Sequence, residues 1–330
     1  MSTLSVVLIM PDSFDGIAKT VRHLQAQTIA ERLEIILVAA SADEAAVDKV
    51  ALQGFGAWRL IELPRLSRGG PARAAGIRHA SAPFVVLAED HCFPEPDWAE
   101  ALLDAFHRHP EAGAIVPSIS NGNPRTLTSW ADVYMNFGPF VDHTSATALD
   151  HLPWHNACFR REAFAGHEAD LPHLLEVEML WHDRLVENGH TLRITPATRI
   201  HHYNFSRPSF FLREQYVNGR IFGSVQAEPM PVWRQWLHAC SAPLVQATRF
   251  RSILHDLRRS ERLGLLPRLL PALALGLVAN GFGEFVGYTF GAGRAKETKF
   301  DLEFRRYRFM TEADRRDLLD PDRSFVRIKS

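Results

Sequence analysis

Phe84-Val85-Val86-Leu87-Ala88-Glu89-Asp90-His91 is the stretch on which the reading of the fold turns. Its first five residues form a short, unbroken, β-branched apolar run, as expected of a strand buried on both faces. Two carboxylates and an imidazole follow at once. Toward the N-terminus the same kind of run occurs at 4–10, stopped by Pro11-Asp12-Ser13, at 33–40, followed by Ser41 and Asp43, and at 58–63. Helical patterns lie between them: Ile17, Val21 and Leu24 at helical spacing, then 45–52, then 71–80 with Pro71 in its first turn. Beyond the acidic triplet, 96–107 reads as helix and 114–116 starts a fifth strand.

This alternation predicts an α/β fold, a mostly parallel sheet with helices on both faces. Such sheets bind ligands beyond the C-terminal ends of their strands. Asp12, Ser41 with Asp43, and Glu89-Asp90-His91 all stand at such ends, so they are expected along one edge. Carboxylates and imidazole ligate divalent ions, and a cation is a natural partner for a diphosphate. Acids in that place also suit the start of a following helix.

Composition narrows the class without naming it. A net charge of -1 over 330 residues gives no case for a whole-chain nucleic-acid binder, and 46% hydrophobic content excludes a disordered chain. Cys92, Cys158 and Cys240 are far apart, odd in number and without metal-finger spacing, which argues for a reducing, cytoplasmic setting. The N-terminus lacks the basic and apolar regions of a signal peptide.

The middle of the chain is rich in Trp, His, Asn and Pro. A helix is expected over 174–188, stopped by Gly189, then an extended segment over 190–200 that ends at His201-His202. Further on, helices are expected over 210–223 and 250–266, and 269–279 is apolar apart from Pro271 and Gly276.

Six of these segments, in order, resemble family 2 glycosyltransferases of the GT-A fold. They are Ser5 to Asp12, Glu34 to Asp43, Gly70-Pro-Ala-Arg-Ala-Ala-Gly-Ile77, Val85 to Trp98, Asn156-Ala-Cys-Phe-Arg-Arg-Glu-Ala-Phe164, and Arg184-Leu185 through Gly189 to His202. The resemblance covers about residues 4–220. It implies a GT-A domain over 1–220, with a nucleotide-binding half at 1–117 and an acceptor half at 118–220, and a C-terminal helical region at 221–330.

The resemblance also implies roles. Pro11, Asp12, Ser41, Arg73, Glu89 and Asp90 would hold the nucleotide of a UDP-, GDP- or dTDP-sugar. Glu89-Asp90-His91 stands in the D-x-D place, so His91, with Asp90 and His202, would hold Mn2+ or Mg2+. His202 fits the spacing from Pro196 better than His201. The family's catalytic carboxylate lies eleven residues before the glycine, which is Glu178, with Glu176 in reserve. Trp154, His155, Asn156, Trp181 and His182 would line the acceptor site, for a glycan or a lipid-linked acceptor. The expected activity is inverting, metal-dependent sugar transfer of the hexosyltransferase type, in polysaccharide, glycolipid or lipid-linked glycan synthesis.

The sequence departs from the family at four places. Ala39 replaces an aspartate that binds the base, Ala74 replaces an asparagine, and both outer acids of D-x-D are changed, to Glu89 and His91. Histidine is the softer ligand and favours Mn2+. These changes keep a second reading open, a weak or inactive GT-A scaffold. A nucleotidyltransferase ranks lower, because Pro11 to Gly16 has neither a glycine-rich loop nor a lysine.

In the C-terminal region Arg249, Arg251, Arg258, Arg259, Arg262 and Arg268 precede the apolar run. Pro271, the glycines and Glu284 argue against a spanning helix. Two expectations follow: helices that meet the inner face of a membrane, or a homo-oligomer interface.

Overall fold

A computed structural model describes residues 2–153 and 156–322. In chain order its regular elements are β1 (Leu4–Met10), α1 (Ala18–Gln25), β2 (Leu33–Ala39), α2 (Ala42–Ala45), β3 (Ala57–Glu62), α3 (Gly69–His79), β4 (Phe84–Ala88), β5 (Cys92–Pro94), α4 (Trp98–Arg108) and β6 (Ala112–Asn121). They continue with α5 (Leu127–Phe137), β7 (Thr147–Leu149), β8 (Ala157–Arg160), α6 (Leu171–Leu174), α7 (Glu178–Glu187) and β9 (Thr191–His202). The last are α8 (Pro208–Ala227), α9 (Val232–Arg259), α10 (Leu266–Phe290), α11 (Ala295–Phe304) and α12 (Glu312–Leu319).

The described residues form two compact units, one of residues 2–120, 142–153, 156–202 and 316–322, the other of 121–141 and 203–315. One boundary between the units falls after 202, and α5 belongs to the same unit as α8, α9, α10 and α11.

The first unit is built on one sheet in the order β3-β2-β1-β4-β8-β6-β9-β5, with β7 paired to β9. β1, β2, β3 and β4 pair in parallel, with Met10 opposite Ala39 and Leu8 opposite Ala88. Every residue of β1 and β2 is buried, which is why both read as continuous apolar runs without alternation. β4 to β8 and β5 to β9 are antiparallel. The chain leaves β1 toward β2 on one side and later returns to place β4 on the other. A crevice therefore opens between the C-terminal ends of β1 and β4, where Asp12 and Glu89 emerge.

A charged residue holds the opposite half of this sheet. Glu34 is fully buried in β2 and accepts hydrogen bonds from Ser5, from the Ser81 backbone and hydroxyl, and from Arg59 at 2.6 Å. Burial alone would raise its pKa, but these donors outweigh it and hold the carboxyl below its ordinary value.

Three expected helices differ. The helix over 45–52 is only α2: Ala46 turns left-handed at φ 46°, and the Asp48 carboxylate then accepts from the Val50 and Ala51 backbone. The helix over 174–188 is broken into α6 and α7, with Val177 extended between them. α9 starts at Val232 rather than near 250 and carries Pro243 inside it.

In the second unit α8 and α10 meet backbone to backbone. A Cβ on Gly219, Gly223, Gly283 or Gly287 would lie 2.0 to 2.4 Å from a carbonyl oxygen of the facing helix. A buried ionic group lies beside this seam: Arg306 reaches Glu214 at 3.2 Å and Asp132 at 3.8 Å, and Lys299 reaches Glu214 at 3.3 Å. Burial, reinforced by the neighbouring Glu214, raises the Asp132 pKa well above normal. Lys299 and Arg306 overcome the burial of Glu214 and hold it at about 2.

Candidate active site

The chain turns sharply at the end of β4, and the acidic triplet sits inside that turn. Asn156, left-handed at φ 54°, brackets it from behind. Its backbone N–H donates to the Leu87 carbonyl at 3.1 Å, and its side-chain amide points to the Cys92 carbonyl at 3.5 Å. From α1, the Thr20 hydroxyl donates to the Asp90 carbonyl at 3.1 Å.

β5 then pairs antiparallel with β9, with Cys92 opposite His202 and Phe93 opposite His201. The register sorts the two histidines. Successive side chains alternate across a strand, so His202 turns inward beside His91, and His201 lies 3.2 Å from Glu95. The His91 and His202 rings meet edge to face with centroids 4.9 Å apart.

Glu89, His91 and His202 each bring one ligand atom into a group within 4.8 Å of one another. Glu89 Oε2 is 3.4 Å from His91 Nε2 and 3.9 Å from His202 Nε2. Two ligands about 2.1 Å from one ion at a tetrahedral angle lie about 3.4 Å apart, so this spacing fits a single first-row divalent cation. The donor set of one carboxylate and two imidazoles fits the same ions. All three side chains are at most 3% exposed.

Asp90 takes a different part from the one expected. It approaches His91 Nδ1 at 2.6 Å, on the far side of the ring from Glu89. A carboxylate there favours the tautomer that protonates Nδ1 and leaves Nε2 as the ligating nitrogen. Glu89, expected at the nucleotide, is the carboxylate that groups with His91 and His202.

Glu176 and Glu178 are separated by the break between α6 and α7. Glu176 turns to α3: its carboxylate accepts from the Gly70 backbone N–H at 3.2 Å and meets Arg68 at 3.3 Å. It thereby satisfies one of the open N–H groups at the start of that helix. Gly70 has to be glycine, since a Cβ would stand 2.2 Å from the Pro172 carbonyl oxygen. Arg73, buried, donates to the Leu175 carbonyl at 3.2 Å and so braces the same break. Glu178 is left as the first residue of α7, partly exposed.

Residues 5–167 match the family model described as glycosyl transferase family 2. This segment is a family 2 glycosyltransferase domain. The mixed sheet flanked by helices is the GT-A architecture expected for it. Among solved structures, the chain is similar to S. aureus TarS 1–349 in complex with UDP at 12% identity and a TM-score of 0.47, covering 86% of this chain and 90% of that one. A second structure of TarS 1–349 gives 14% identity, a TM-score of 0.43 and the same coverages. A longer TarS structure gives 13% identity and a TM-score of 0.43, with 55% of its length covered. No curated protein sequence matches.

The remaining expected site residues separate. Pro11, Asp12 and Ser41 are partly exposed at the strand ends, as the topology requires. Trp181 and His182, expected to line an acceptor site, belong to the core instead. Trp181 stacks on Phe164 at 4.7 Å and His182 on Phe159 at 6.3 Å, and both are fully buried, which leaves neither ring a face for a sugar. Burial, with a lesser contribution from His151, lowers the His182 pKa to about 3. Asn156 serves the acidic turn rather than an open pocket. Trp154 and His155 lie outside the described residues. The roles of Thr20 and Gly70 carry no local sequence signal, because they depend on contacts with distant segments.

Proposed function

We propose that this glycosyltransferase moves a sugar, of the hexose type, from a nucleotide-sugar to an acceptor hydroxyl with inversion. The observation that carries the reading is the convergence of Glu89, His91 and His202 beside the crevice between β1 and β4. Those three residues would hold a divalent cation, and its two imidazole ligands favour Mn2+ over Mg2+. When bound, the ion supplies positive charge to the departing diphosphate.

The protein's own groups do the rest. Asp12, Ser41 and Arg73 are assigned to the nucleotide. Glu178 takes the proton of the acceptor hydroxyl while that oxygen bonds to the anomeric carbon. The bond from that carbon to the diphosphate oxygen breaks on the opposite face, and its electron pair leaves with the nucleoside diphosphate. The cluster is closed to solvent, so donor binding has to open part of its cover.

We place the enzyme in the cytoplasm, at the inner face of a membrane, acting on a glycan or lipid-linked acceptor. Support for the membrane comes from the segment 263–290, which is long and apolar enough to cross one by length and composition. α10 packs one side on α8, so the proposal is surface contact rather than a span.

A thermal-shift panel of UDP-, GDP- and dTDP-sugars, with and without Mn2+, tests the reading. One donor should stabilise the protein, and only with the metal present. A protein that no nucleotide-sugar stabilises, and that releases no nucleoside diphosphate, is the scaffold alternative.

A further inference from the structure

α9 and α10 enclose a groove of about 470 Å3, within the range of about 300–1,000 Å3 usual for small-molecule sites. Ala239, Ala242 and Pro243 of α9 and Leu277, Phe282 and Phe285 of α10 form its walls. Small residues leave room in it: Ala239 and Ala242 stand on one helix, and Gly281 on the other, where a Cβ would lie 2.9 Å from the Gln246 side chain. Around it both helices expose large apolar side chains, among them Trp236, Leu244, Val278 and Phe282, the last at 60%. This is more apolar surface than a water-facing helix pair needs.

The charges on these helices are one-sided. Their only acids are Asp256 and Glu284, which are 5% and 1% exposed. Arg234, Arg251, Arg258 and Arg268 are exposed. A helix pair that offers water apolar groups and cations but no anions complements an anionic bilayer surface. A second copy of the chain would instead bring the same arginines toward each other.

We infer that the groove between α9 and α10 receives one alkyl chain from an anionic lipid bilayer. The inference rests on the membrane-surface part of the proposed function and deepens it, since it assigns a chain-binding site rather than adsorption alone. Trp236 provides the reporter, because its ring stands 6.3 Å from Phe285 in the wall of the groove.

The test uses the full chain, without donor, and equimolar phosphatidylcholine–phosphatidylglycerol vesicles whose phosphatidylcholine is brominated along the acyl chain. The protein should sediment with the vesicles, and the bromines should quench emission that is lost in Trp236→Phe. Phe282→Asp and Leu244→Asp, two changes at exposed positions, should each weaken vesicle binding about tenfold or more and abolish the quenching. Sedimentation without quenching overturns the groove site and leaves surface association standing. No sedimentation overturns both. A stable dimer in the absence of lipid, broken by Phe282→Asp, assigns the face to a second copy and overturns the inference.

Discussion

The Asp90 carboxylate stands 2.6 Å from Nδ1 of His91 and so leaves Nε2 as the nitrogen that faces Glu89. Asp90 therefore acts through His91, by fixing its ring and tautomer. Asp90→Asn should weaken Mn2+ binding about 10- to 100-fold, as outer partners of ligating histidines usually do. The melting temperature of the metal-free protein should barely change. Unaltered Mn2+ affinity by calorimetry counts against this role.

Glu178 opens α7, and Glu176 is held by Gly70 and Arg68. Glu178→Gln keeps the size and removes the proton acceptor, so transfer should fall about 10^2- to 10^4-fold. Affinity for the nucleoside diphosphate should stay unchanged. Glu176→Gln should instead lower stability, since it loosens the start of α3. Single-turnover assays and denaturant melts on both variants distinguish the roles, and normal turnover in Glu178→Gln would remove it as the base.

His182 accepts a hydrogen bond from the Leu152 N–H at its Nδ1, 3.4 Å away, which a protonated ring cannot do. Burial holds its pKa at about 3, below the unfolded value of 6.5. Below pH 6.5 the unfolded chain gains a proton that the folded one refuses. Stability should therefore fall as the pH drops from 6.5 toward 3, by up to roughly 4 kcal/mol from this residue. Denaturant melts of the wild type and His182→Phe across that range should show a flatter profile in the variant. Parallel profiles would contradict the assignment.

On the α8–α10 seam, a Cβ at Gly283 would stand 2.1 Å from the Tyr216 carbonyl oxygen, whereas one at Gly264 meets nothing within 4 Å. Gly283→Ala should cost about 2–3 kcal/mol by forcing the helices apart, and Gly264→Ala should be nearly silent. Thermal melts of the two variants check the contrast.

What could be read from the sequence follows from how local each signal is. β1, β2 and β4 are buried on both faces and announce themselves as apolar runs, so the sheet and its polar edge were legible. Glu89 and His91 were legible as a motif. His202 was legible from its spacing after Pro196 through the family resemblance, while its contact with them depends on the register of β5, three residues long and without periodicity of its own. The break before Glu178 is equally non-local, because the bonds of Glu176 and Arg73 to and from α3 replace the helical path that the sequence favours. Proline usually ends or kinks a helix, yet α9 carries Pro243 within its length. Trp181 and His182 have the composition of pocket residues, and only their packing on Phe164 and Phe159 shows them as core.

Calorimetric titration of Mn2+ into the wild type and into His91→Ala/His202→Ala, with the chosen nucleoside diphosphate present, tests the central claim most directly. One Mn2+ site is expected in the wild type, tighter than for Mg2+, with affinity lost in the double variant while the fold persists by circular dichroism. Equal Mn2+ affinity in the two proteins, or no Mn2+ binding to the wild type, would contradict it.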